Sequence, residues 1–105
     1  MSEPEKPNLH AELARGTRAQ AVLNDDIYRE AWDAVERGIV EHWKSAPIQD
    51  IDGQHKLRLM LKILKDVRGY LEETMKTGKL ASIQISEEKS RMARLKEFAA
   101  KGFRR

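Results

Sequence analysis

The amino-acid sequence predicts an all-α protein built on an antiparallel helical hairpin, and three observations predict it. Apolar residues recur at helical spacing in two long segments, residues 25–45 and 54–77. The connector between them, Ala46 to Gly53, holds Pro47, Asp50 and an Asp52-Gly53 turn dipeptide, and its short reach makes the flanking helices turn back on one another. The composition is 40% apolar, 35% charged and 6% aromatic, enough for a thin core that a partner subunit would complete. At 105 residues there is room for one small domain or one helical unit with two tails, which argues against a two-domain enzyme. No cysteine is present, so disulfides and thiolate metal sites are excluded and the compartment leans towards cytoplasm.

The elements follow in order. Residues 1–8 mix glutamates, a lysine and two prolines without the apolar run of a secretory signal, and are expected to be a disordered leader. Leu9 to Leu23 is rich in helix formers but carries Gly16 and Thr17, with loose apolar positions at Leu9, Leu13, Ala19 and Val22. This reads as a helix that docks on something larger. Asn24, Asp25 and Asp26 then give a helix start, with Asn24 as cap and the aspartates at the positive end of the dipole. The second helix runs to about Ser45, because Pro47 disfavours a helical residue before it. Ile27, Tyr28, Ala31, Trp32, Val35, Ile39 and Trp43 fall within an arc of about 160° at ~100° per residue. Trp32 and Trp43 lie at its edge, where large rings suit either the core or a seam with a partner.

The third helix, Gln54 to Thr77, is the strongest element, and Gly78 is placed to stop it. Leu57, Met60, Leu61, Leu64, Val67, Leu71 and Met75 form one stripe; Leu59, Ile63 and Tyr70 form a second, rotated by roughly 110°. Together they span about 200°, twice the ~100° that one neighbour covers. The second stripe, with Trp32 and Trp43 from the edge of the second helix, is therefore assigned to a homo-oligomer interface; the alternative is a terminal helix folding back over it. The core is thus residues 9–78 with the hairpin at 25–77. In residues 79–105, Leu80 to Ile85 alternates apolar and polar residues, which suits a short strand or an extended linker. Ser86, Glu87 and Glu88 start a last helix with Met92, Leu95, Ala99 and Phe103 on one face.

Motifs for catalysis or cofactors are missing. Gly78-Lys79 lacks the leading glycine and the following hydroxyl residue of a phosphate loop, having Glu73 and Leu80 in those places. Asp50-Ile51-Asp52-Gly53 lacks the remaining calcium ligands, and His10, His42 and His55 have no paired-ligand spacing. No enzyme activity, cofactor or metal is expected, and no run approaches the ~18 to 20 apolar residues of a membrane span. Charge is the asymmetric feature. Residues 86–105 hold seven basic residues (Lys89, Arg91, Arg94, Lys96, Lys101, Arg104, Arg105) against three acidic ones, leaving 13 basic and 14 acidic elsewhere. Such a basic amphipathic helix suits nucleic-acid phosphates or a groove on a partner protein better than a membrane, because its apolar face is short.

The order Ala21-Val22-Leu23, Tyr28-Arg29-Glu30-Ala31-Trp32, Trp43 near a proline turn, Leu57-Arg58-Leu59-Met60-Leu61 and Thr77-Gly78-Lys79-Leu80-Ala81 covers about 60% of the chain. It resembles the short helical-hairpin proteins that phages, prophages and gene-transfer agents encode near DNA-packaging genes, of which the small terminase subunit is the best-known class. The resemblance implies a ring-forming, non-enzymatic adaptor that loads DNA and regulates a large terminase, in the host cytoplasm. It also implies that Leu80 to Ile85 joins an intersubunit barrel. The chain departs from that class in having no room for a helix-turn-helix in Leu9 to Leu23, which moves any DNA contact to the basic arm or to lysines such as Lys62 and Lys65. A second reading is a helical protein-interaction or structural accessory module without nucleic-acid binding.

Overall fold

Three helices hold nearly all of residues 8–102, which the computed structural model describes: α1 (Leu9–Asn24), α2 (Asp26–Ser45) and α3 (Ile51–Gly102). There is no strand among the described residues, and the chain is all-α. The residues of the expected leader up to Pro7, and Phe103, Arg104 and Arg105 of the expected basic arm, lie outside the described residues.

α1 opens at Asn8, whose side-chain oxygen accepts from the Ala11 amide at 3.1 Å, with Glu12 in the first turn. A single extended residue, Asp25, joins α1 to α2. Its amide donates to the Val22 carbonyl at 3.1 Å and closes α1, while its carboxylate accepts from the Tyr28 amide at 2.8 Å and opens α2. The cap expected at Asn24 is thus one residue further on. Asn24 still has helical partners behind it, and Asp25 offers the same short acceptor at the true break.

α3 contains 52 residues, about 78 Å at 1.5 Å per residue, and sets the 86 Å length of the molecule. It begins three residues earlier than expected. The Asp50 carboxylate accepts from the Gly53 amide at 3.0 Å, and the Gln54 side chain donates to the carbonyls of Pro47 and Ile48 at 2.9 and 3.2 Å. Asp52-Gly53 is therefore the first turn of a helix and not a reverse turn.

The expectations beyond Gly78 are corrected. Gly78 does not end the helix, residues 80–85 form neither a strand nor a linker, and Ser86 does not start a separate helix; α3 runs through all of them, and no described glycine has a positive φ. The cause is α1, which lies on this stretch. Gly78 and Ala81 are buried, Ile85 is half-buried, and Leu80 and Ile83 point away. Ala81 and Ile85 stand four residues apart on one helical face, so the apparent alternation of Leu80 to Ile85 is also half of a helical stripe.

The two pairings differ in kind. α1 meets α3 through small residues: a Cβ placed on Gly16 would lie 2.6 Å from the Gly78 Cα, and Ala19 and Ala81 are buried nearby. α2 meets α3 through large ones. The Trp32 indole N–H donates to the Leu64 carbonyl at 3.3 Å, and the Arg68 guanidinium covers the ring at 4.8 Å. The contacts run in opposite chain order, with Trp32 beside Leu64 and Arg68, Arg15 donating to the Tyr70 hydroxyl at 3.1 Å, and His10 beside Ile85. α1 and α2 therefore follow one another along a single long helix.

The buried core among the described residues is four side chains, Ala19, Trp32, Ile39 and Ala81. A radius of gyration of 23.3 Å compares with about 13 Å for a compact domain of this length. A core this thin leaves much of the apolar surface uncovered.

Candidate assembly and nucleic-acid surfaces

Two surfaces follow from that geometry. The first lies on α2 and the first half of α3. Leu59, Ile63 and Tyr70, assigned to an interface from the sequence, are 44%, 62% and 65% exposed, and Trp43 is also exposed. Met60 and Val67, which the periodicity gives to the intrachain stripe, are exposed as well and extend this face. They are missed because a wide stripe does not reveal where its neighbour sits. Leu57, Leu61, Leu64, Arg68, Leu71 and Met75 are half-buried and follow one another at spacings of four and three on one helical face, with Arg68 in one apolar place. Trp32, assigned with the others, is 9% exposed and is held inside the chain by Leu64 and Arg68. The Tyr70 ring is exposed while its hydroxyl accepts from Arg15, which ties α1 to the margin of the face.

The second surface is the far end of α3. His10, at the start of α1, lies beside Ile85, Glu88 and Met92. The helix continues past that point to Gly102 with every residue from Ser86 onward exposed. Lys89, Arg91, Arg94, Lys96 and Lys101 all project from this segment, with Glu97 the one acid after residue 88 among the described residues. Stepping ~100° per residue puts Arg91, Arg94 and Lys101 within one arc of about 80°, and Leu95, Ala99 and Met92 in the arc beside it. Phe98, 78% exposed, sits among the first group. The three ion pairs among the described residues, Lys62–Asp66, Arg68–Glu72 and Glu73–Lys76, all lie nearer the centre of α3, and Lys89, Arg91, Arg94, Lys96 and Lys101 pair with none of the described carboxylates. Arg94 bonds the Ser90 carbonyl at 3.4 Å, within its own helix.

A further group on the outer side of α3, His55, Arg58, Lys62 and Lys65 with Leu59, Leu61 and Asp66, the last paired with Lys62, lines a shallow hollow of about 470 Å³. The lining belongs to one helix, so the hollow cannot enclose a small molecule. Lys62 and Lys65 are among the sequence-based candidates; Arg58 joins them because residues 58, 62 and 65 are neighbours on a helix. His10, His42 and His55 are exposed on separate helices, and no three metal-ligating side chains come together among the described residues. No helix of the described residues is long and apolar enough to cross a membrane.

Fold and surfaces together define an extended helical protein with an uncovered apolar face and a projecting cationic helix. Comparison with family models, curated proteins and solved structures finds no match to the chain.

Proposed function

We propose that the chain is a non-enzymatic, homo-oligomeric helical adaptor of the small-terminase type. α2 and the first half of α3 form the antiparallel hairpin at its assembly core, and the basic end of α3 contacts DNA. A motor subunit such as a large terminase is the protein partner. The observation that carries the reading is area. The chain exposes 9333 Å², whereas a compact monomer of its mass exposes about 6000 Å². The excess exceeds the ~800 Å² that each partner buries in an ordinary interface. Exposed Leu59, Met60, Ile63 and Val67 on α3, with Ile27 and Val35 on α2, are among the apolar residues that contribute to that excess.

The DNA part rests on charge and reach. Arg91, Arg94 and Lys101 stand exposed on the projecting helix end, and Lys89 and Lys96 line a hollow with His10 of α1, all of them open to phosphates. Copies brought together by the hairpin would present several such ends, and weak phosphate contacts add through multivalency. The test is binding of the full chain to duplex DNA across a salt series, beside a variant with Arg91, Arg94, Lys96 and Lys101 replaced by Gln. Salt-sensitive binding that is absent from the variant supports the reading, and no binding by the native chain at low salt overturns its DNA part.

The second reading, a protein-interaction module without nucleic acid, is favoured by one observation. Residues 80–85 are helical, so the intersubunit barrel that the small-terminase resemblance implies has no strand here.

A further inference from the structure

Taking the homo-oligomer of the proposed function as its basis, we propose a specific subunit pairing. Two copies lay the same side of α2 and α3 together as a twofold four-helix bundle, with α3 of each copy on α2 of the other. Three observations carry this.

The first is that the uncovered apolar residues of the two helices share one side. Stepping ~100° per residue from the Trp32–Ile39 edge, Ile27, Ala31, Ala34, Val35 and Gly38 lie displaced by roughly 50 to 150° in one rotational sense. From the Leu57–Leu64 edge of α3, Met60, Ile63, Val67 and Tyr70 lie displaced by roughly 50 to 130° in the same sense. Because the helices run in opposite directions, equal senses of rotation bring both sets to one side of the plane that contains the two axes. Between Ile27 and Gly38 on α2, and between Met60 and Tyr70 on α3, these sectors contain no charged residue; His42 and Lys56 continue them towards the connector. The cations of Arg58, Lys62 and Lys65 fall on the opposite side and stay exposed in the pair.

The second is that the two sets are unequal in size. The α2 set is mostly small and the α3 set is large. Trp32 is level with the turn from Leu64 to Arg68. Counting back one residue for each residue forward places Val67 level with Ala31, Ile63 with Val35, and Met60 with Gly38. A twofold axis parallel to the helices keeps these levels and sets each large α3 side chain of one copy against a small α2 residue of the other. An axis across the helices would set small against small and large against large, leaving voids along α2.

The third is Gly38. A glycine in the middle of a helix costs about 1 kcal/mol relative to alanine. A Cβ there would meet nothing within 4 Å in the chain, so no intrachain contact requires it. Seating of the Met60 side chain of a second copy does require it. Self-complementarity points to a second copy as the occupant, since one face carries both the large row, with Met60, Ile63, Val67 and Tyr70 exposed, and the small row that would receive it. The axis also brings both basic α3 ends out at the same end of the bundle.

The native chain has no cysteine, which makes the test direct. Full-length chains carrying Ala31→Cys are mixed with chains carrying Val67→Cys, oxidised and sized, while Gly38→Leu is followed by light scattering and circular dichroism. The proposal expects disulfides between unlike chains in preference to like ones. It also expects Gly38→Leu to keep its helicity and weaken association at least tenfold. Oligomers that link like with like, or unlike chains that do not link, or an unweakened Gly38→Leu assembly, overturn this pairing and leave the proposed function standing. A native chain that is monomeric overturns both, whereas a native particle that stops at two copies supports the pairing and counts against the ring that the small-terminase resemblance implies.

Discussion

Gly16 and Gly78 touch backbone to backbone: a Cβ on either would stand 2.6 Å from the other's Cα. Both glycines sit inside helices, where each costs about 1 kcal/mol against alanine, so the close approach of α1 and α3 is what explains them. Gly16→Ala or Gly78→Ala should each destabilise the chain by about 1 to 3 kcal/mol through overpacking, despite the gain in helix propensity. Thermal unfolding followed by circular dichroism reads this as a lower melting temperature. A rise would show that the helices can separate at no cost.

The Trp32 ring is the largest member of the core and bridges α2 to α3 through Leu64 and Arg68. Trp32→Ala should cost about 3 kcal/mol, in the range for large aromatic truncations. Arg68→Ala should cost about 0.5 to 1 kcal/mol, because its side chain is partly exposed and the cation–π contact is correspondingly weak. Urea titrations of the two variants give the ratio. Equal losses would mean that the cation, and not the ring, holds the pair together.

Adjacent residues on α3 should separate folding from assembly. Leu64 is turned towards α2 and Ile63 is 62% exposed. Leu64→Asp should unfold the chain, since it places an unpaired charge on the inward face. Ile63→Asp should keep the helical signal and lower the mass of the particle. If both variants unfold alike, the division of α3 into an inward seam and an assembly face is wrong.

The arm offers a charge experiment. Replacing Arg91, Arg94, Lys96 and Lys101 with Gln should leave the melting temperature within about 2 °C, as surface changes away from packed features are close to neutral. The slope of log binding constant against log salt should become shallower by about 0.9 for each phosphate that the variant no longer neutralises. A variant with an unchanged slope would place DNA binding elsewhere, with Arg58, Lys62 and Lys65 next to be replaced.

Sequence periodicity placed α2 to within a residue, and composition located the basic end, because both depend on residue type alone. The length of α3 was hidden by two local signals that tertiary contact overrides. Gly78 resembles a helix stop, but its lack of a side chain serves Gly16, and the alternation from Leu80 to Ile85 is compatible with a helix once Ala81 and Ile85 face α1. The exposure of Leu59, Ile63 and Tyr70 could be read from an overly wide apolar arc, whereas Trp43, also exposed, stands about 20° from Trp32 and off the row of Ile27, Ala31 and Val35. Met60 and Val67 could not be sorted from Leu57 and Leu64 without knowing on which side α2 lies, and Trp32 could not be assigned inward without its bond to Leu64.

Completion of the thin core by further copies of the chain is read most simply from the mass of the purified full chain, by light scattering at micromolar concentration. Assembly gives an integer multiple of 12.1 kDa, two or more, that Ile63→Asp lowers while the helical signal remains. A fully helical particle of 12.1 kDa would contradict it.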